Sequence, residues 1–181
     1  MMQPKHDYNV PEELFKAIED EFAGAKIAEK YLESKDSSVF EKWGKNLMER
    51  TYELGTKPEY KDHLYEMIKL VAEKTKEVRF PHEAQRFIEI ACLSIHLMSV
   101  VLIQTAYNKE LSFSIEEGTC TVHNTLKETL SEEELKSLPC KGGCLTTWKT
   151  IFNILKIDDV EVSQTQDMPS DGMCTFLALR K

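Results

Sequence analysis

The chain has 181 residues, 31 acidic against 23 basic, for a formal net charge of -8 at pH 7. That length buries a core without disulfide staples, and the negative balance argues against nucleic acid and anionic membranes as partners, since both are polyanions. The five cysteines and the lack of a stretch shaped like a secretory signal point to a reducing cytoplasm, where free thiols or metal thiolates are expected rather than bridges.

Pro11 to Ser34 reads as a first helix, with Leu14, Ile18, Phe22, Ala25 and Leu32 near one face and Pro11 suited to its first turn. Asp36 or Ser37 caps a second, in which Phe40, Trp43, Leu47 and Leu54 recur at helical spacing as far as Gly55. Pro58 opens a third, which the periodicity predicts to turn Tyr60, Leu64, Met67, Ile68 and Val71 inward. Arg79-Phe80-Pro81 breaks this pattern, and from about Pro81 a fourth helix is apolar nearly all round, the mark of a central buried rod. Ile90 to Ala106 carries no formal charge, yet it is short for a membrane span and is interrupted by His96 and Gln104. A buried helix running into a strand is the reading taken, with no membrane span.

After Tyr107 the period changes. Leu111, Phe113 and Ile115 alternate with Ser112 and Ser114 as a half-buried strand does, and Gly118 follows as a turn. Short helices are predicted from Val122 to Leu130 and from Ser131, whose Glu134 three residues on makes a capping-box pattern. Cys144, Trp148, Ile151 and Leu155 form one helical stripe. Val160 and Val162 then alternate with polar neighbours, and Ser170-Asp171-Gly172 turns the chain into Cys174, Phe176 and Ala178, a terminal hairpin. The whole is α+β: N-terminal helices followed by a small antiparallel sheet with interspersed helices. Residues 1–80 make a helical region and residues 81–181 a ligand-binding α+β domain, expected to form one compact unit.

Two constellations carry chemistry. Cys120 falls where a strand hands over to a helix, and Cys140 and Cys144 fall at the start of another. Helix N-termini stabilise a thiolate, which is both nucleophile and metal ligand. Gly142 and Gly143 are expected to turn the backbone tightly enough for the two sulfurs to converge, and Cys174 shares the inward face of the last strand. A metal site of Cys120, Cys140, Cys144 and Cys174, holding zinc or an iron-sulfur cluster, follows as an expectation, with plain packing of the thiols as its alternative. His123 lies one helical turn from Cys120, the spacing of a Cys-His pair for nucleophilic catalysis. On the apolar helix, Gln85, Glu89, Cys92, His96 and Ser99 follow a single stripe. Glu89, Cys92 and His96 are therefore candidate ligand-binding residues, and a solvent-facing helix edge is the alternative.

The run from Gly143-Cys144 through IFNILKIDDVEVSQTQDMPSDGMCTFLAL, ending in Cys174-Thr175-Phe176, resembles the end of vinyl-reductase-type small-molecule-binding domains. The placement of Cys120, Cys140, Cys144 and Cys174 is also similar to the L-2-amino-thiazoline-4-carboxylic acid hydrolase-like family. The resemblance covers residues 81 to 181. It implies a compact α+β domain enclosing a small apolar or sulfur-containing ligand between helices and sheet, often as a homodimer, with cysteines near the pocket. This chain departs from the vinyl-reductase pattern at Gln164 and Gln166, where those domains tend to carry a cysteine. Three functions follow: a small-molecule-binding protein with a thiolate or metal site at its pocket edge, a hydrolase of a small cyclic C-N or C-S compound using Cys120 and His123, or a non-catalytic dimeric interaction module.

Overall fold

Alternation of apolar and hydroxyl residues builds the sheet. The structure is a computed structural model that describes residues 7–77, 80–96 and 101–181, Val101 and Leu102 through their backbone alone. Strands β1 (Val101–Tyr107) and β2 (Glu110–Glu116) form one hairpin, and β3 (Val160–Gln166) and β4 (Met173–Arg180) another. β2 pairs with β4, so the order is β1-β2-β4-β3, antiparallel throughout. Leu111, Phe113, Ile115, Phe176 and Ala178 are buried on the inner face. On the outer face a polar row crosses all four strands: Gln104 Nε2 donates to Ser114 Oγ at 3.2 Å, Ser114 and Thr175 share a 2.8 Å bond, and Thr175 Oγ1 donates to Gln166 Oε1 at 2.6 Å. Leu179 on that face stays exposed.

The helices are α1 (Glu12–Phe22), α2 (Gly24–Ser34), α3 (Ser38–Gly55), α4 (His63–Thr75), α5 (His82–Ile95), α6 (Thr121–Lys127), α7 (Glu132–Leu135), α8 (Lys141–Ile154) and α9 (Met168–Asp171), with a 3-10 turn at Pro58–Tyr60. Described residues of α5 are buried all round, as its composition predicts. Its Arg86 donates to the carbonyls of Gly55 and Tyr60, each at 2.9 Å, which pins the end of α3 and the 3-10 turn onto the rod. The predicted capping box at Ser131 and Glu134 is present. Trp148 on α8 packs edge-on against Phe113, with ring centres 5.5 Å apart, and 6.1 Å from Phe176, so the inward face of the terminal hairpin meets α8. One apolar core runs from Tyr8 to Ala178 across both predicted regions.

The structure corrects four expectations. The predicted first helix is two, because the chain breaks at Ala23; a side chain on Gly24 would overlap Thr121, so the break lets α2 begin against α6. Pro58 opens only the 3-10 turn, and α4 begins later under the cap of Asp62, whose side chain accepts from Tyr65 N at 3.0 Å. Leu64, Met67 and Val71 on α4 are 47%, 48% and 40% exposed, while Tyr60 and Ile68 of the predicted face do pack on the core, and Tyr65 and Ala72 complete the contact. Gly142 and Gly143 are no turn but the first residues of α8. There Gly143 meets α3, where a Cβ on Gly44 would overlap the carbonyl of Gly143, and Thr147 Oγ1 donates to Gly44 O at 3.1 Å. Arg79, Leu97 and Ser99 lie outside the described residues.

Candidate functional site

A cleft opens between the α3-α8 pair and the inner face of the sheet. The space between its walls is about 760 Å³ with the open solvent at its mouth included, and its wall contains Cys120, Cys140, Cys144, Cys174, His96 and His123. The apolar remainder includes Phe40 and Trp43 from α3, Leu135, Ile115, Met168 and Phe176. A second, smaller chamber adjoins it, about 310 Å³ with the open solvent at its mouth included, sharing Trp43, His96, Ile115, Cys144 and Phe176. Leu47, Ala91, Ile95, Thr147, Trp148 and the fifth cysteine, Cys92, complete this second chamber. Every cysteine of the chain therefore borders one of two adjoining spaces, and all five are free thiols.

Local geometry explains the convergence. The end of α5 meets the start of α6 through an isolated bridge between His96 and Cys120, reinforced by Thr121 Oγ1 donating to Ile95 O at 2.6 Å. Cys120 is the N-cap of α6, and its Sγ accepts from His123 N at 3.5 Å. Cys140 is the N-cap of α8, and Cys144 lies within that helix's first turns. Cys174 sits opposite Ile115 in the β2-β4 ladder, directed inward with Phe176.

The electrostatics differ from the sequence-based expectation of thiolates. Burial pushes the Cys92, Cys120 and Cys140 thiols up to about 12 and Cys144 well above the usual thiol range; burial also raises Cys174. The helix-start N-H groups pull the other way at Cys120 and Cys140 but are outweighed, because removing a thiolate from water costs more than one long bond returns. Burial likewise lowers His96 to about 4 and lowers His123. The thiols and imidazoles of the walls are thus neutral at physiological pH.

Both imidazoles are buried, and Nδ1 of each has no hydrogen-bond partner. Such a group is rare in a native interior and marks a place where a partner is wanted. The predicted catalytic pair is adjacent, but Cys120 engages the backbone N-H of His123 rather than its ring. The predicted metal ligands Cys120, Cys140, Cys144 and Cys174 border one cavity, yet among the described residues no three His, Cys, Asp or Glu side chains converge as a metal-ligand set.

The ligand-binding stripe divides. Cys92 and His96 reach the chambers, whereas Glu89 is buried beneath the N-terminal segment, where its Oε1 accepts from Gln85 Nε2 at 2.7 Å and its Oε2 from Asp7 N at 3.1 Å. Burial pushes the Glu89 carboxyl up to about 8. Sequence reasoning missed the lining from α3 and α7, and also Gln164, which stands where the resembling domains tend to carry cysteine and which borders the cleft with Cys174. Nothing in the local pattern of Phe40 or Trp43 separates a cavity wall from ordinary core. Among the described residues no helix is long and apolar enough to cross a membrane. No family model, curated protein or solved structure matches this chain.

Proposed function

We propose that the chain is a cytoplasmic small-molecule-binding protein whose ligand occupies the thiol-lined cleft, the function that its resemblance to vinyl-reductase-type domains also implies. One observation carries the reading: two buried imidazoles without Nδ1 partners and four free thiols are among the walls of a mostly apolar cleft. Concave, mostly apolar sites with a few converging polar groups are the usual form of a small-molecule pocket. A mostly apolar lining suits an apolar ligand, because little polar surface is desolvated when it enters. The test is titration with N-phenyl-1-naphthylamine, a neutral apolar fluorophore. It should bind saturably at one site, and Cys140→Phe, which projects a ring into the larger chamber, should weaken binding by at least about tenfold without lowering the unfolding midpoint by more than a few degrees. Unaltered binding by that variant would remove the cleft from the reading.

The soft sulfur donors favour a second guest, a zinc ion or an iron-sulfur cluster. Side-chain rotation would have to bring the sulfurs to about 2.3 Å from one zinc ion, and each bound thiol would release a proton, so uptake would strengthen as pH rises. Stoichiometric zinc or iron in protein purified without added metal would establish this guest in place of an organic one.

A further inference from the structure

The residues that line the cleft and are themselves exposed, Lys136, Lys141, Asp167 and Pro169, mark where it meets solvent. The last two belong to the connection between β3 and β4, which contains α9. Within that connection Met168 alone is buried, at 3% exposure, and it lines the cleft; Asp167, Pro169, Ser170, Asp171 and Gly172 are exposed. A single unbranched side chain thus seats the segment at the mouth.

The segment is bonded mainly to itself. Asp167 Oδ1 accepts from Ser170 N at 3.0 Å, Asp171 Oδ2 from Asp167 N at 2.9 Å, Asp167 O from Asp171 N at 2.8 Å and Met168 O from Gly172 N at 3.1 Å. Among the described residues its hydrogen bonds to the rest of the fold are few: Gly172 O accepts from Glu117 N at 2.9 Å at the C-terminal end, and the Met168 N-H is directed to the Cys174 thiol. Both ends carry a joint. The β3-β4 ladder shifts register between Gln164 and Gln166, and Gly172 holds φ at 70° where the chain leaves α9 for β4. An element with one buried side chain, polar groups satisfied internally and a joint at each end opens at lower cost than the strands beside it.

Resting on the reading of the cleft as a ligand site, we infer that α9 is a lid: Met168 is a plug that withdraws as the segment swings outward about Gln164–Gln166 and Gly172, admits the ligand and reseats behind it. Methionine suits this role because its flexible, unbranched chain repacks against different surfaces. The hydrogen bonds inside α9 survive the motion, so opening gives up only the burial of one side chain and one weak N-H contact to sulfur.

Two measurements test the lid, and the first needs no ligand. Folded protein is labelled with iodoacetamide, and Met168→Ala should speed modification of Cys140 and Cys174 by about tenfold or more, since reaction through an open state follows the population of that state. The gain should exceed that at Cys92, which borders the second chamber. Met168→Leu, which restores an apolar plug, should return the wild-type rates. In the second, N-phenyl-1-naphthylamine is mixed with wild-type protein in stopped flow. The observed rate should level off at high fluorophore concentration, at the rate of lid opening, and Met168→Ala should raise that ceiling.

Wild-type labelling rates in folded Met168→Ala, or equal acceleration at all five cysteines, would overturn the lid, the latter because it reports general loosening. A stopped-flow rate that climbs linearly with fluorophore concentration would overturn the gating of entry and leave the ligand-binding reading intact. If the fluorophore does not bind while Cys140 and Cys174 respond to Met168→Ala as stated, the lid stands and the ligand-binding reading falls.

Discussion

The two halves of helix α5 carry one polar stripe but are served differently. In the first half, Gln85 Nε2 donates to Asp7 Oδ2 and to Glu89 Oε1, each at 2.7 Å, and Tyr8 closes the segment over the helix by donating to His82 O at 2.5 Å. Apart from Gln85 Oε1, the chain itself supplies partners along that half of the stripe. In the second half, Cys92 and His96 face space, and His96 Nδ1 has no partner. The same helical spacing thus builds a clasp at one end and an unfilled site at the other. What decides between them is the element lying opposite: the N-terminal segment covers Glu89, while α8 and the sheet stand apart beside His96.

Substitutions can break this comparison, and the largest effect is expected where both chambers share a wall. Phe176 is buried, packs near Trp148 and borders both spaces. Phe176→Ala should cost about 3–5 kcal/mol, measured by urea unfolding, because the enlarged cavity cannot collapse onto the rigid α3-α8 contact. A loss under about 1 kcal/mol would show that the sheet face is not packed as described.

Next come paired changes on the stripe. Glu89→Ala leaves Asp7 N-H and Gln85 without their acceptor and should cost about 2 kcal/mol. His96→Leu breaks no hydrogen bond to its Nδ1 and replaces a buried polar ring by an apolar group, so it should cost less than about 1 kcal/mol while impairing ligand binding. Equal costs for the two would erase the distinction between clasp and site.

The pH dependence sharpens it further, because the two ends titrate with opposite sign. Glu89 is raised, so between about 4.5 and about 8 the folded state holds the proton more tightly than the unfolded chain does. Its contribution is present at low pH and lost as pH rises through that window. His96 is lowered, so between about 4 and 6.5 the unfolded chain binds the proton more readily, and stability is lost as pH falls through that window. Where the windows overlap the two slopes oppose each other. Above pH 6.5 only Glu89 remains, and stability should fall by up to about 1.4 kcal/mol per pH unit as pH approaches 8. Glu89→Gln should flatten that limb and expose the acid-side loss due to His96, whereas a wild-type profile flat from pH 6.5 to 8 would contradict the buried carboxyl.

Elements whose signals are local were legible in the sequence. The capping box at Ser131, the alternation of β2 and the terminal hairpin, and the charge-free run that becomes the end of α5 followed by β1 all stand where the pattern put them. Two local signals misled for tertiary reasons. The apolar face of α4 is real, but the rest of the fold meets Tyr65 and Ala72, leaving Leu64 and Met67 outside. The glycines before Cys144 read as a turn, yet Gly143 serves the close approach of α8 to α3. At the site, helix-start positions were legible for Cys120 and Cys140, and so was the inward face of Cys174. Protonation was not: it depends on how completely distant elements exclude water, which no spacing encodes. For the same reason Trp43 and Phe40, 77 or more residues before Cys120, gave no sign that they would close the wall opposite the thiols.

The central claim is that neutral, buried thiols border a mostly apolar cleft that a small apolar molecule fills, and site-by-site alkylation tests it most directly. Folded protein would be treated with iodoacetamide at neutral pH, with and without 1-octanol, and labelling at each cysteine followed by mass spectrometry. The account predicts slow modification of all five in the folded state, because the attacking thiolate is scarce, and further slowing at Cys120, Cys140, Cys144 and Cys174 when 1-octanol is present. Rapid labelling at Cys120 or Cys140, unchanged by 1-octanol, would contradict it.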